Sequence, residues 1–142
     1  MIAAGGEAVS RLRRMLRFDT TNPPGNELPL VEHLAAELTR EGLQPQVMVS
    51  APNRANLVVR LRGDGSQRPL LLLSHLDVVP AEPSQWTHPP FAAEVADGLV
   101  FGRGAVDSKL TTAVHMQVLL ACWRLGVTLK RDLVLVAAAD EE

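Results

Sequence analysis

The chain has 142 residues, of which 46% are apolar and 21% charged, and its formal net charge is −2. That balance suits one globular domain able to bury a real core, and it excludes a disordered chain. It offers no basic field for nucleic acid, and no stretch reaches the roughly 18 consecutive apolar residues of a membrane span, so the expected partner is a small molecule.

The N-terminal stretch mixes Arg11, Arg13, Arg14 and Arg17 with Val9, Leu12, Met15 and Leu16. It lacks the continuous apolar core of a secretory signal, and Glu7 counts against an arginine-rich organelle presequence. An amphipathic helix over residues 7–18 of a cytoplasmic protein is the expectation. The breaker-rich run Asp19-Thr20-Thr21-Asn22-Pro23-Pro24-Gly25-Asn26 ends it. Leu28, Val31, Leu34, Ala35 and Leu38 then recur at helical spacing, with Glu32, Glu37, Arg40 and Glu41 on the other face and Gly42 as the stop.

Three β-rich segments follow, at residues 46–50, 56–61 and 70–74. Leu70-Leu71-Leu72-Leu73 is uniformly apolar. A leucine run is compatible with helix, but this one is too short between Pro69 and His75, so a central strand covered on both faces is predicted. Residues 91–95 and 99–101 flank Ala96-Asp97-Gly98, whose Asp-Gly pair predicts a hairpin. Leu110, Ala113, Val114, Val118 and Cys122 keep helical spacing over residues 108–125, capped by Gly126, and residues 133–139 read as another buried strand. The lone cysteine, Cys122, lies inside that apolar helical run, which excludes a disulfide framework and favours a buried thiol in a reducing compartment. Alternating helices and strands imply an α/β layered domain, with a mixed, mostly buried β-sheet flanked by helices.

The chemistry-bearing residues sit where strands run out. His75 is a natural metal ligand, and Asp77, two residues on in an extended chain, can face the same pocket and orient the imidazole. Taken alone, His-x-Asp also describes a capped surface pair. Asp107 follows Gly102-Arg103-Gly104 at a helix start, where it is either an N-cap or a carboxylate placed in a cleft. A phosphate loop is disfavoured because the glycine spacing of the nucleotide motifs is absent and a carboxylate there would repel phosphate. Asp140, Glu141 and Glu142 close a strand, where neighbouring side chains diverge: one can bind metal while another stays free as a base. Ser74 with His75 and Asp77 cannot form a serine-hydrolase relay, because the three lie too close along one strand and no nucleophile-elbow motif occurs. His33 and His115 read as packing or surface residues, and His88, beside Trp86, reads as a loop residue able to line a substrate entrance.

These motifs, in this order, resemble the M20 family of metallopeptidases and amidohydrolases, the group of acetylornithine deacetylase, succinyl-diaminopimelate desuccinylase, aminoacylase-1 and the glutamate carboxypeptidases. The segments that carry the resemblance are Phe18-Asp19-Thr20-Thr21-Asn22-Pro23-Pro24-Gly25, Ser74-His75-Leu76-Asp77-Val78-Val79-Pro80, the loop of residues 86–91, Asp97-Gly98 through Lys109, and Asp140-Glu141-Glu142. The resemblance implies two Zn2+ ions, with Co2+ or Mn2+ as substitutes. His75 would serve one zinc, Asp107 both, and Glu142 the other. Glu141 would be the general base, Asp77 the group orienting His75, and the peptide after Asp107 cis. The implied reaction is hydrolysis of an amide bond in an N-acyl amino acid or short peptide, through a water bridging zincs about 4 Å apart. Leu110 stands where the family commonly has glycine. The family's remaining ligands, a carboxylate soon after the Glu-Glu pair and a histidine near the C-terminus, have no counterpart, nor has its lid domain, which supplies dimer contacts. Residues 1–142 are therefore expected to be the N-terminal portion of such a catalytic domain, from a longer form that is a homodimer. The alternative is a non-catalytic remnant or binding module.

Overall fold

The computed structural model describes residues 4–142; Met1 to Ala3, the start of the amphipathic stretch, lie outside the described residues. Among the described residues three α-helices, α1 (Ala4–Leu16), α2 (Leu28–Arg40) and α3 (Lys109–Arg124), accompany six strands. These are β1 (Gln46–Ala51), β2 (Arg54–Leu61), β3 (Leu70–His75), β4 (Val95–Ala96), β5 (Leu99–Val100) and β6 (Leu133–Ala138). Among the described residues no helix is long and apolar enough to cross a membrane.

The elements follow their local chemistry. Leu30, Val31, Leu34, Ala35 and Leu38 form the buried stripe of α2, and Gly42 leaves the helix at φ +87°, a conformation glycine adopts without a Cβ penalty. The Asp97-Gly98 turn joins β4 to β5, both residues having positive φ.

The main sheet has the order β1-β2-β6-β3 and is mixed: β1–β2 and β2–β6 are antiparallel, β6–β3 parallel. One face carries Ala55, Leu57 and Val59 of β2 with Leu133, Leu135 and Ala137 of β6. It packs into a single core with Leu12, Met15 and Leu16 of α1, the apolar stripe of α2, and Ala113, Met116, Leu119 and Leu120 of α3. Arg11 is fully buried among the three helices; its guanidinium donates to Glu37 of α2 at 2.8 Å and to Gln117 of α3 at 2.9 Å. A buried cation is tolerated here because its donors meet a carboxylate and an amide oxygen.

The position of β3 corrects the sequence expectation. It is an edge strand rather than a central one, and Leu71 and Leu73 are 53% and 57% exposed. They lie beside Val134 and Val136 of β6 on the face opposite the helices. On the helical face, Ser74 Oγ hydrogen-bonds Thr112 Oγ1 of α3 at 2.8 Å. Cys122 is free and half-buried.

Because β3 and β6 run parallel, their C-terminal ends meet at one rim of the sheet, with His75 paired to Ala138. Carboxyl ends of strands in open α/β sheets are where ligands bind, because the chain leaves the sheet there in loops of free composition.

Candidate metal centre

Three loops converge at that rim. His75 is the last residue of β3, Asp107 precedes α3, and Glu141 and Glu142 follow β6. One ligand-type atom from each of His75, Asp107 and Glu142 lies within 4.8 Å of the other two. His75 is largely buried, whereas Asp107 and Glu142 are exposed. Glu141 Oε2 stands 3.8 Å from His75 Nε2.

Asp107 reaches this position through Ser108. The Ser108 hydroxyl accepts the His75 backbone N–H and donates to the His75 carbonyl, both at 3.1 Å, so it continues the ladder along the free edge of β3. Its hydroxyl is thereby withdrawn from capping α3, whose N-cap residue makes no side-chain cap bond. The Asp107–Ser108 peptide is cis, as the resemblance implies. Gly104 sits behind the turn at φ +79°, and a Cβ there would meet Val78 Cγ1 at 2.6 Å. Gly104→Ala should therefore cost about 1–2 kcal/mol, from positive-φ strain plus the displaced Val78, as read by denaturant unfolding. A cost below a few tenths of a kcal/mol would show that the turn is not held this tightly.

The His75 ring nitrogen Nδ1 lies against two atoms of Asp77. Nδ1 lies 3.1 Å from the Asp77 carbonyl oxygen and 3.5 Å from its carboxylate Oδ1. A neutral ring that donates from Nδ1 presents a bare lone pair at Nε2, and Asp107 Oδ1 is 3.0 Å away. Two lone pairs share such a distance only with a cation between them, a proton or a metal ion. Burial draws the His75 pKa down, but Asp107, the Asp77 carbonyl and the charges of Asp77 and Glu141 together hold it above the ordinary histidine value. One imidazole nitrogen with two carboxylate oxygens is a donor set that fits a zinc-type divalent ion.

The Asp77 carboxylate lies beneath the site and is fully buried. Its Oδ2 accepts from Asn22 Nδ2 at 2.9 Å and from the backbone amides of Glu141 and Glu142 at 2.9 and 3.0 Å. Burial would raise its pKa, but these hydrogen bonds outweigh that and hold it below the usual carboxylate range.

Asn22, Arg54 and Ser108 were not singled out by sequence reasoning as parts of the site. Asn22 lies within the Thr-Thr-Asn-Pro-Pro-Gly run that carries the resemblance; Arg54 offers no local signal at all. Asp140, open in sequence between metal and base roles, is instead held by Arg54 Nη1 at 2.8 Å and Asn22 Nδ2 at 3.2 Å. His33 packs on Phe18, and His115 is half-buried in α3. His88 Nδ1 pairs with Glu94 at 2.6 Å, with its ring against Phe101.

Comparison with known proteins identifies the family and the fold. Residues 71–142 match the family model described as Peptidase family M20/M25/M40. By sequence the chain is similar to the N-fatty-acyl-amino acid synthase/hydrolase PM20D1.1 of Danio rerio, 36% identical over 91 residues, covering 63% of this chain and 18% of that protein. It is also similar to the succinyl-diaminopimelate desuccinylase of Hahella chejuensis, 56% identical over 54 residues, covering 37% of this chain and 14% of that one. Among solved structures, the M20 family metallo-carboxypeptidase Sso-CP2 of Sulfolobus solfataricus superposes with a TM-score of 0.80 at 18% identity, covering 93% of this chain and 30% of that one. Human carnosine dipeptidase 1 gives 0.79 at 20% identity, covering 93% and 31%. The matches thus span less than a fifth of the curated relatives and about a third of these solved structures. With the family's sequence signature running from β3 to Glu142 and its catalytic-domain fold across nearly all the described residues, the chain belongs to peptidase family M20/M25/M40.

Proposed function

We propose that the chain carries part of a two-zinc centre that hydrolyses the amide bond of an N-acyl amino acid or short peptide. The observation that carries this is the convergence of His75, Asp107 and Glu142 from three separate segments of the chain. His75 would hold one ion and Glu142 the other, with Asp107 common to both. The 142 residues would form the N-terminal portion of the catalytic domain, in a cytoplasmic protein. An N-acyl amino acid is favoured because the names of both sequence relatives describe acyl groups on amino compounds.

When bound, the divalent ions would lower the pKa of water and offset negative charge developing on the carbonyl oxygen. Glu141 takes the proton of the attacking water on its carboxylate as the C–O bond forms, then delivers it to the amine nitrogen as the C–N bond breaks. Its position suits a proton carrier, since the backbone N–H is fixed on Asp77 while the side chain stays free beside His75. The products are a carboxylic acid and a free amine, so atoms balance with water as the sole co-reactant.

Metal analysis after dialysis of the purified chain against dilute zinc, followed by gel filtration, tests this directly. Two zinc ions per chain support the dinuclear centre, and one would reduce it to a mononuclear site. None would overturn the metal reading and favour the non-catalytic alternative.

A further inference from the structure

We propose that Asn22 is a positioning residue for the Glu141–Glu142 pair: its side-chain amide cross-links the carboxylates of Asp77 and Asp140, the two groups that fix the loop carrying both glutamates. The inference deepens the function proposed above and rests on Glu141 and Glu142 having the roles given there.

The loop after β6 is held at successive residues. Ala139 N–H donates to Asn56 Oδ1 at 2.9 Å. The Asp140 carboxylate is gripped by Arg54 and Asn22, and the amides of Glu141 and Glu142 both end on Asp77 Oδ2. Asp140 has φ +67°, a left-handed conformation that aspartate visits more readily than most side chains but that still needs support. Arg54 supplies that support from one side, itself anchored on the fully buried Glu27 at 2.9 Å. Gly25 makes room for it, since a Cβ there would lie 2.4 Å from Arg54 Nε.

Asn22 supplies support from the other side, and its chemistry suits the place. Asp77 and Asp140 are like-charged, and a double donor between them gives each carboxylate a hydrogen bond. A primary amide has two hydrogens on one nitrogen, one for each carboxylate. Aspartate would add a third negative charge and no donor, serine has one donor, and glutamine is one carbon longer. The backbone around Asn22 is fixed equally well. Its N–H donates to Val78 O at 2.9 Å, Thr20 Oγ1 donates to Leu76 O at 2.7 Å, and Val78 N–H donates to Thr20 O at 3.2 Å. Asn22 is 8% exposed, so its amide has almost no access to water as an alternative partner. The connection therefore runs from the Thr20–Asn22 segment through the Asn22 and Asp77 side chains to the backbone of both glutamates.

Backbone amide exchange of the metal-free, 15N-labelled chain tests the relay. Asn22→Ala should accelerate exchange at Glu141 and Glu142 at least tenfold, while Leu135 and Val136 in β6 change only with global stability. Asp140→Ala removes one acceptor of the same amide at an exposed residue, so folding should survive; it should accelerate the two glutamates about threefold. Unchanged exchange in both variants, or acceleration matching that of Leu135, would overturn the proposal. In the zinc-loaded chain Asn22→Ala should weaken zinc about tenfold, the low end of what is lost when a group holding metal ligands in place is removed. Asp132→Asn, a destabilising change remote from the site, should leave zinc affinity unchanged; equal weakening by both would reduce Asn22 to a purely structural residue and overturn its positioning role. If the unaltered chain takes up no zinc, the metal reading fails separately, and amide exchange alone decides the relay.

Discussion

Asp77→Ala should weaken zinc binding by ten- to a hundredfold and cost about 2 kcal/mol of folding stability. Both effects arise from one buried carboxylate. Asp77 Oδ2 is the common acceptor for Asn22 Nδ2 and for the amides of Glu141 and Glu142. Removing it strands one hydrogen of the Asn22 amide, which is nearly inaccessible to water and keeps only Asp140 as acceptor, whereas the two glutamate amides can turn to solvent; one poorly replaced bond to a charged acceptor is worth about 2 kcal/mol. The zinc effect has two sources. The loop that positions Glu142 loses its anchor, and His75 loses the negative charge, 3.5 Å from Nδ1, that makes Nε2 a stronger donor. Asp77→Asn separates them. Its carbonyl oxygen can still accept one hydrogen bond, so the stability loss should halve to about 1 kcal/mol, while zinc affinity still falls at least tenfold. Isothermal titration calorimetry with zinc, alongside urea unfolding, measures both. Zinc affinity within twofold of the parent in Asp77→Ala would remove Asp77 from the centre.

The sequence made the individual elements legible but not the order of the sheet. The helices at Leu28–Arg40 and Lys109–Arg124 and the strands at Gln46–Ala51 and Arg54–Leu61 lie within a few residues of where periodicity, Gly42 and Gly126 put them. These signals are local, since a 3.6-residue stripe or a positive-φ glycine is set by its own neighbours. The place of β3 is not a local matter. Four consecutive leucines report a preference for apolar surroundings, but the neighbours of that strand depend on β6 pairing with both β2 and β3, and β6 lies some sixty residues away in sequence.

The site divides along the same line. His75, Asp107, Glu141 and Glu142 could be named because each is a polar residue at the end of an apolar run or a glycine turn, and because the motifs resemble a known family. Their convergence follows from two facts beyond local pattern: β3 and β6 run parallel to one rim, and Ser108 ties the start of α3 to the backbone of His75. Asn22 was visible only as a member of the breaker-rich run that also carries the resemblance. Its partners are 55 and 118 positions away, and nothing in Thr-Asn-Pro indicates that the amide faces two carboxylates rather than solvent.

Lys109 should make the folded chain more stable as pH rises from about 8 to about 10.5, by about 3 kcal/mol across the interval. Its ammonium is fully buried at the start of α3, and its acceptors are backbone carbonyls at the end of α1: Phe18 O at 2.9 Å and Met15 O at 3.4 Å. Desolvation outweighs the attraction of Asp19 and Asp77 and lowers its pKa from 10.5 to about 8. Between those values the unfolded chain holds a proton that the folded chain has released, so unfolding takes up a proton and stability increases with pH. Below pH 8 both states are protonated, and the folded protein bears the full cost of a buried cation. That cost is partly offset by the negative end of the α1 dipole, toward which Nζ points. Lys109→Met keeps the length of the stem and removes the titration, so its urea midpoint should lack the parent's rise over this range. If parent and variant respond identically between pH 8 and 10.5, Lys109 is not the buried cation joining α1 to the turn behind Asp107.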